Sequence, residues 1–172
     1  MSVSEFIPII FIVITIIGAL AQILREWPRS DNARRAEIFL NWAFLLIIGI
    51  GGIWAFIGHT LFADLVAESI GWPVGNPFQQ EVALANLAIG VLGILALLIP
   101  GTFRIAPLIA YAIFMMGAGI GHIWQIISNQ NLSENNAGLV LWLDLCMPMI
   151  LIGLYLLSEW LQKHKTQPSL RR

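Results

Sequence analysis

The stretch "EVALANLAIGVLGILALLIPGTFR", residues 81–104, decides the fold. Between Glu81 and Leu98 the only polar side chains are Glu81 and Asn86. Roughly 20 helical residues cross a hydrocarbon core, so this run is long enough to span one. Pro100 and Gly101 then force a reversal, Arg104 supplies a basic residue at the turn, and a second apolar run follows at once. A hairpin of two spanning helices is the only economical reading.

The same pattern extends in both directions. Spans are expected at about 5–24, 37–62, 79–100, 104–128 and 138–161, followed by a solvated tail over 162–172. The joints are "REWPRSDNARR" (25–35), "GWPVGNP" (71–77), "PGTFR" (100–104) and the polar loop "SNQNLSENNAG" (128–138). The fold class is therefore all-α, a polytopic membrane bundle of five transmembrane helices forming a single membrane domain over residues 1–172. The start, "MSVSEF", lacks Lys and Arg, and its apolar run exceeds a signal-peptide h-region, so a retained helix is expected there.

Composition agrees. The 172 residues are 58% hydrophobic and 11% charged, against about 25% charged in soluble domains. Such a chain cannot cover a water-facing surface, and its main partner is the lipid bilayer. A net charge of −1 gives no basic excess for nucleic acid. The single cysteine, Cys146, excludes an internal disulfide.

Five spans put Arg25, Arg29, Arg34, Arg35, Arg104, Lys163, Lys165, Arg171 and Arg172 on one side, which is all nine Lys and Arg residues. The other side carries Glu5, Asp64, Glu68 and Glu134. Basic residues favour the cytoplasmic face, so the N-terminus is expected outside and the C-terminus in the cytoplasm. Trp27, Trp42 and Trp160 fall near the inner boundary, and Trp72, Trp124 and Trp142 near the outer one, as interfacial belts do. The amphipathic segment "LFADLVAESIGW" (61–72) is expected to lie flat on the outer surface, with an inward-folding lid as the alternative.

Polar residues inside the spans carry the functional signal. Ile-Gly-His occurs twice, in "FIGHT" (56–60) and "GIGHIWQ" (119–125). Helical rise puts His59, Glu81, Asn86, His122, Gln125 and Asp144 in one layer, the outer third of the membrane, while the inner half has nothing comparable. A charged side chain near a span's centre costs about 2.5–3.5 kcal/mol, so Asp144 must be protonated, paired or facing a hydrated cavity. Pro148 frees the carbonyl of residue 144 as well. The glycines of "GIGG" (49–52) and "GAGIG" (117–121), with Gly90 and Gly93, are expected to serve close helix packing, Gly117 and Gly121 having GxxxG spacing. Their alternative use is room for a flat ring beside the histidines. Span one offers only Thr15 and Gln22 and is expected at the periphery.

The order "GHTLF" (58–62), "ADLVAESIGWP" (63–73), "EVALANLAIGVLGILALL" (81–98), a basic turn and "GAGIGHIW" (117–124) resembles the DoxX-like group of small bacterial membrane proteins. It is closer still to an uncharacterised bacterial family with the same Gly-His, Glu- and Asp-containing helices. The resemblance covers about 37–161. It implies a four-span core with one helix added in front, a bacterial inner-membrane location, and an association with membrane oxidoreductase systems, quinone-coupled sulfur oxidation among them.

Three functions compete. In the first, His59, His122, Asp144 and Glu81 hold a transition metal, or the two histidines ligate a haem or pass protons to a quinone, with Asn86 and Gln125 lining the site. This makes the chain an accessory component of membrane redox metabolism with oxidoreductase subunits as partners. In the second, Asp144 and the histidines form the relay of a small-solute or proton-coupled carrier, which at this length requires a homo-oligomer. In the third, the polar layer specifies packing in a structural subunit.

Overall fold

The computed structural model describes residues 3–99 and 101–165. The Glu5 side chain, Pro100 and residues 166–172, with Arg171 and Arg172, lie outside that description. All regular structure among the described residues is helical: α1 (Val3–Glu26), α2 (Asn32–Ala43), a π segment (Phe44–Ile50), α3 (Gly51–Leu61), α4 (Ala63–Ile70), α5 (Phe78–Leu98), a 3-10 turn (Gly101–Arg104), α6 (Ile105–Asn129), α7 (Glu134–Ala137) and α8 (Leu139–Lys165). Five helices are long and apolar enough to cross a membrane: Phe6–Glu26, Asn32–Leu61, Phe78–Leu98, Gly101–Asn129 and Glu134–Lys165. The expected number of spans is the number found.

Boundaries differ where charge chemistry extends a helix. The second span begins at Asn32 because the Asp31 carboxylate caps it, accepting from the Arg34 backbone N–H at 2.9 Å. The fifth runs on to Lys165, so its last turn holds Lys163, His164 and Lys165 where tail was expected. Basic residues suit a helix C-terminus, and Lys165 Nζ reaches Asp31 Oδ2 at 2.8 Å.

The contacts place the basic joints together at one end of the bundle. Arg34 bridges to Glu26 at 2.9 Å, Lys165 to Asp31, and Arg104 donates to Asn41 Oδ1 at 2.7 Å. At the opposite end, Asn131 donates to the Ile70 carbonyl (2.8 Å) and Asn135 to Ser69 Oγ (2.9 Å). The loop between α6 and α8 is thereby tied onto α4, which roofs this end.

The second span changes partner along its length. Below, α2 packs against α8; above, α3 packs against α5. The switch falls at the π segment, where Gly51 N–H donates to Leu46 O, five residues back. The contact of α3 with α5 is backbone on backbone. A Cβ on Gly52 would lie 2.7 Å from Asn86 O, and one on Gly90 would lie 2.8 Å from Gly49 O. These glycines serve packing, as expected. In α6 the packing glycine is Gly119, whose Cβ would meet Leu145 at 2.7 Å, while Gly117 and Gly121 have nothing within 4 Å. The GxxxG pair therefore makes no packing contact among the described residues.

The basic half of the bundle is a dense core of Leu40, Phe44, Ile48, Ala96, Leu108 and Leu151. The α1 helix lies outside it, with only Thr15, Ala19 and Ile23 buried among its described side chains, and is held through Ala19 and Ile23 on Ile38. Trp42 covers Gly18 and donates to Gln22 Oε1 at 2.9 Å.

Candidate functional site

Above the π segment the second span leaves α8, and a cavity of about 480 Å³ opens between α1, α3, α5, α6 and α8 under the roof. Its wall is mainly apolar, formed by side chains such as Phe11, Trp54, Ile89, Phe114, Met115 and Met147. Gly51, Gly52, Gly58 and Gly121 border it, and Gly121 leaves space beside His122. Val66, Ile70 and Trp72 close it from the roof side. Of the amphipathic segment's apolar residues, Val66 and Ile70 line the cavity and Ala67 is buried, while Leu61, Phe62 and Leu65 stay exposed.

Polar groups enter from four spans. His59, Asn86, His122, Gln125 and Asp144 all line the cavity, joined by Tyr111. Glu81 does not line it and is exposed on α5. Gln79, two residues earlier, turns inward instead: it is buried, donates to the Ala63 carbonyl at 2.7 Å and lies 3.4 Å from His59 Nδ1. The expected four-residue metal set is therefore not gathered, and no group of three or more His, Cys, Asp or Glu side chains suited to a metal ion occurs among the described residues.

The centre of the site is one histidine. His122 is buried at 7% exposure, with Nε2 3.5 Å from Asp144 Oδ2 and Nδ1 2.7 Å from Asn136 Oδ1. Asp144 is 4% exposed on the turn of α8 before Pro148, and Gly119 lets α8 approach closely enough for this contact. Asn136 is fully buried, and its Nδ2 donates to the Asn131 carbonyl at 2.8 Å. The short α7 thus turns inward part of what reads as a solvated loop. Asn86 satisfies itself, donating to Val82 O one turn back on α5 (2.9 Å). Gln125 Oε1 accepts from Asn131 Nδ2 at 2.9 Å. His59 stands 6.3 Å from the Trp72 ring, centroid to centroid.

The basic end also buries a polar group, contrary to expectation. Arg104 is 8% exposed, its Nε donating to the Ala96 carbonyl at 3.2 Å and its Nη2 to Asn41. The 3-10 turn carries it back over the end of α5.

The fold, with apolar spans and the Gly-His and Asp helices converging on one chamber, can be set beside known proteins. The chain matches a family of unknown function, DUF6790, over residues 5–164. It belongs to that family. No curated protein and no solved structure gives a significant match. Membership adds no activity, and the site must be read from its own chemistry.

Proposed function

We propose that this multi-pass membrane protein binds a lipid-soluble, quinone-type ring in the His122–Asp144 cavity and serves as an accessory component of membrane redox metabolism. One observation carries the reading: a chamber of about 480 Å³, mainly apolar, is bordered by a few polar side chains, His59, Asn86, His122, Gln125 and Asp144 among them. Small-ligand sites commonly measure about 300–1,000 Å³ and are apolar with a few placed polar groups. A quinone needs this combination, because its ring and tail are hydrophobic and its carbonyl oxygens accept hydrogen bonds. His59 and the His122–Asp144 pair supply donors.

Of the cofactor classes suggested by the sequence, quinone fits best. Both ring nitrogens of His122 already face partners, so ligation of haem iron or another metal must break one of those contacts. The carrier reading requires a polar route to the basic end, where Phe44, Ile48 and Leu108 pack instead. The resemblance to DoxX-like chains supports the redox setting, with a membrane oxidoreductase as partner. By the distribution of Lys and Arg, the roof faces outward and the basic end the cytoplasm of a bacterial cell.

The test uses the protein's own fluorophores. Trp54 and Trp72 border the cavity. Titration with a short-chain quinone in detergent is expected to quench their emission saturably, with the quench lost in Gly121→Phe. Absence of saturable quenching in the wild type, together with absence of quinone from an organic extract of the purified protein, would sink the reading.

A further inference from the structure

We infer that Asn136 is a positioning residue that fixes the proton on His122 and ties the state of the His122–Asp144 pair to the roof. The chain of bonds begins at the amide itself. Its Nδ2 faces two carbonyl oxygens, Asn131 O at 2.8 Å and His122 O at 3.4 Å. Reversing the amide would set its oxygen against both, so Oδ1 points at the imidazole. An oxygen acceptor 2.7 Å from Nδ1 requires that nitrogen to carry hydrogen. Nδ1–H is therefore committed to Asn136, and Nε2 is the nitrogen left facing Asp144 Oδ2.

Proton counting then gives the pair its character. With Nδ1–H held, a bare Nε2 would oppose its lone pair to the Asp144 carboxylate, so the contact favours one proton between them. The pair is either imidazole with carboxylic acid or imidazolium with carboxylate, and both forms are neutral overall. A neutral pair is what a low-dielectric chamber tolerates. The shared proton sits at the wall where a ligand carbonyl would lie. In the other tautomer, Nδ1 would face Asn136 Oδ1 with two lone pairs opposed, and Nε2–H would donate permanently to the carboxylate.

Asn136 does not stand alone. Its partner Asn131 donates to the Ile70 carbonyl, and its neighbour Asn135 donates to Ser69 Oγ, so the loop that holds the amide is pinned to α4. Lifting α4 draws on the same loop and loosens the Nδ1 contact. The roof and the proton on His122 are thus linked through three asparagines.

The functional weight of this lock rests on the cavity reading, but its test needs no ligand, so failure of one is distinct from failure of the other. Full-length protein labelled with ¹⁵N-histidine is placed in lipid nanodiscs, and solid-state NMR reads the protonation of each ring nitrogen. Subtracting the spectrum of His122→Gln assigns His122. The wild type is expected to show hydrogen on His122 Nδ1. Asn136→Leu removes the acceptor and is expected to lower the Nδ1–H to Nε2–H ratio about fivefold, the equivalent of one ordinary hydrogen bond. Asn136→Asp keeps an acceptor but loses the donor to Asn131, and is expected to keep Nδ1–H. A bare Nδ1 in the wild type overturns the proposal outright, whatever the variants do. Equal behaviour of the two variants overturns the positioning role, since both disturb the loop and only one removes the acceptor.

Discussion

The two halves of this bundle bury polar groups by opposite means. At the basic end Arg104 is consumed by its partners, the Ala96 carbonyl and Asn41, inside a core with Phe44 and Leu108. At the roofed end His59, His122 and Asp144 border the cavity; Asn136 reaches His122 from the loop between α6 and α8, and Gln79 approaches His59 from the first turn of α5. The difference separates structure from readiness for a ligand. A buried charge with every neighbour supplied by the chain stabilises one arrangement, whereas polar groups on the wall of a chamber leave capacity for a visitor. The π segment divides the two regimes, because there the second span exchanges α8 for α5.

The largest expected effect lies at that division. In Gly90→Val the new Cβ would meet Gly49 O at 2.8 Å and the Ile53 backbone N at 3.0 Å. Neither is a flexible side-chain end that can give way. Overpacking costs about 1–3 kcal/mol, more where backbone must move. The variant is expected to lose most of its resistance to denaturing detergent, measured by helical content across a titration. Gly121→Ala, with nothing within 4 Å, is the control and is expected to unfold like the wild type.

Next come the two buried polar centres, which respond differently if the contrast is sound. Arg104→Ala leaves Asn41 Oδ1 and the Ala96 carbonyl without their donors, at about 1.5–3 kcal/mol for a charge-assisted bond, and should leave quinone binding unchanged. Asp144→Ala should do the reverse in emphasis: at least tenfold weaker quinone binding, about 1.4 kcal/mol, with a smaller loss of stability. The measurements are thermal unfolding and tryptophan quenching on both variants. If Arg104→Ala weakens binding as much as Asp144→Ala, the two halves are not separate.

The division was only partly legible in the sequence. Spans and joints could be read because the apolar runs are long and every Lys and Arg falls in three places. Depth followed from the helical rise, and His59, Asn86, His122, Gln125 and Asp144 do share one chamber. Direction around each helix did not follow. Glu81 and Gln79 differ little in depth but face about 200° apart, so one is exposed and the other buried. The same limit put Gly117 and Gly121 in the contact that Gly119 makes. Asn135 and Asn136 were hidden for another reason: in "SNQNLSENNAG" they look like ordinary solvated loop residues, since loops usually run over the surface. The unmet needs of a buried imidazole are the only signal that something in that loop must turn inward.

The smallest expected effect belongs to the basic surface and sets the floor for the comparison. Lys165 Nζ approaches Asp31 Oδ2 at 2.8 Å, and the Asp31 carboxylate also caps α2. The Lys165 ammonium, then the Arg34 backbone N–H, hold the Asp31 carboxyl below the usual carboxylate range. A group depressed in the folded state contributes stability above its unfolded pKa and loses it as pH falls through the folded one. Asp31→Asn should therefore flatten the decline in melting temperature below about pH 4. Both side chains are largely open to water, where ion pairs contribute little, so the change should be small and should shrink further in high salt. Asp31→Ala, which also removes the cap, should lower the melting temperature further at neutral pH. If Asp31→Asn instead matched Arg104→Ala in size, burial would not be what distinguishes the polar groups of this protein.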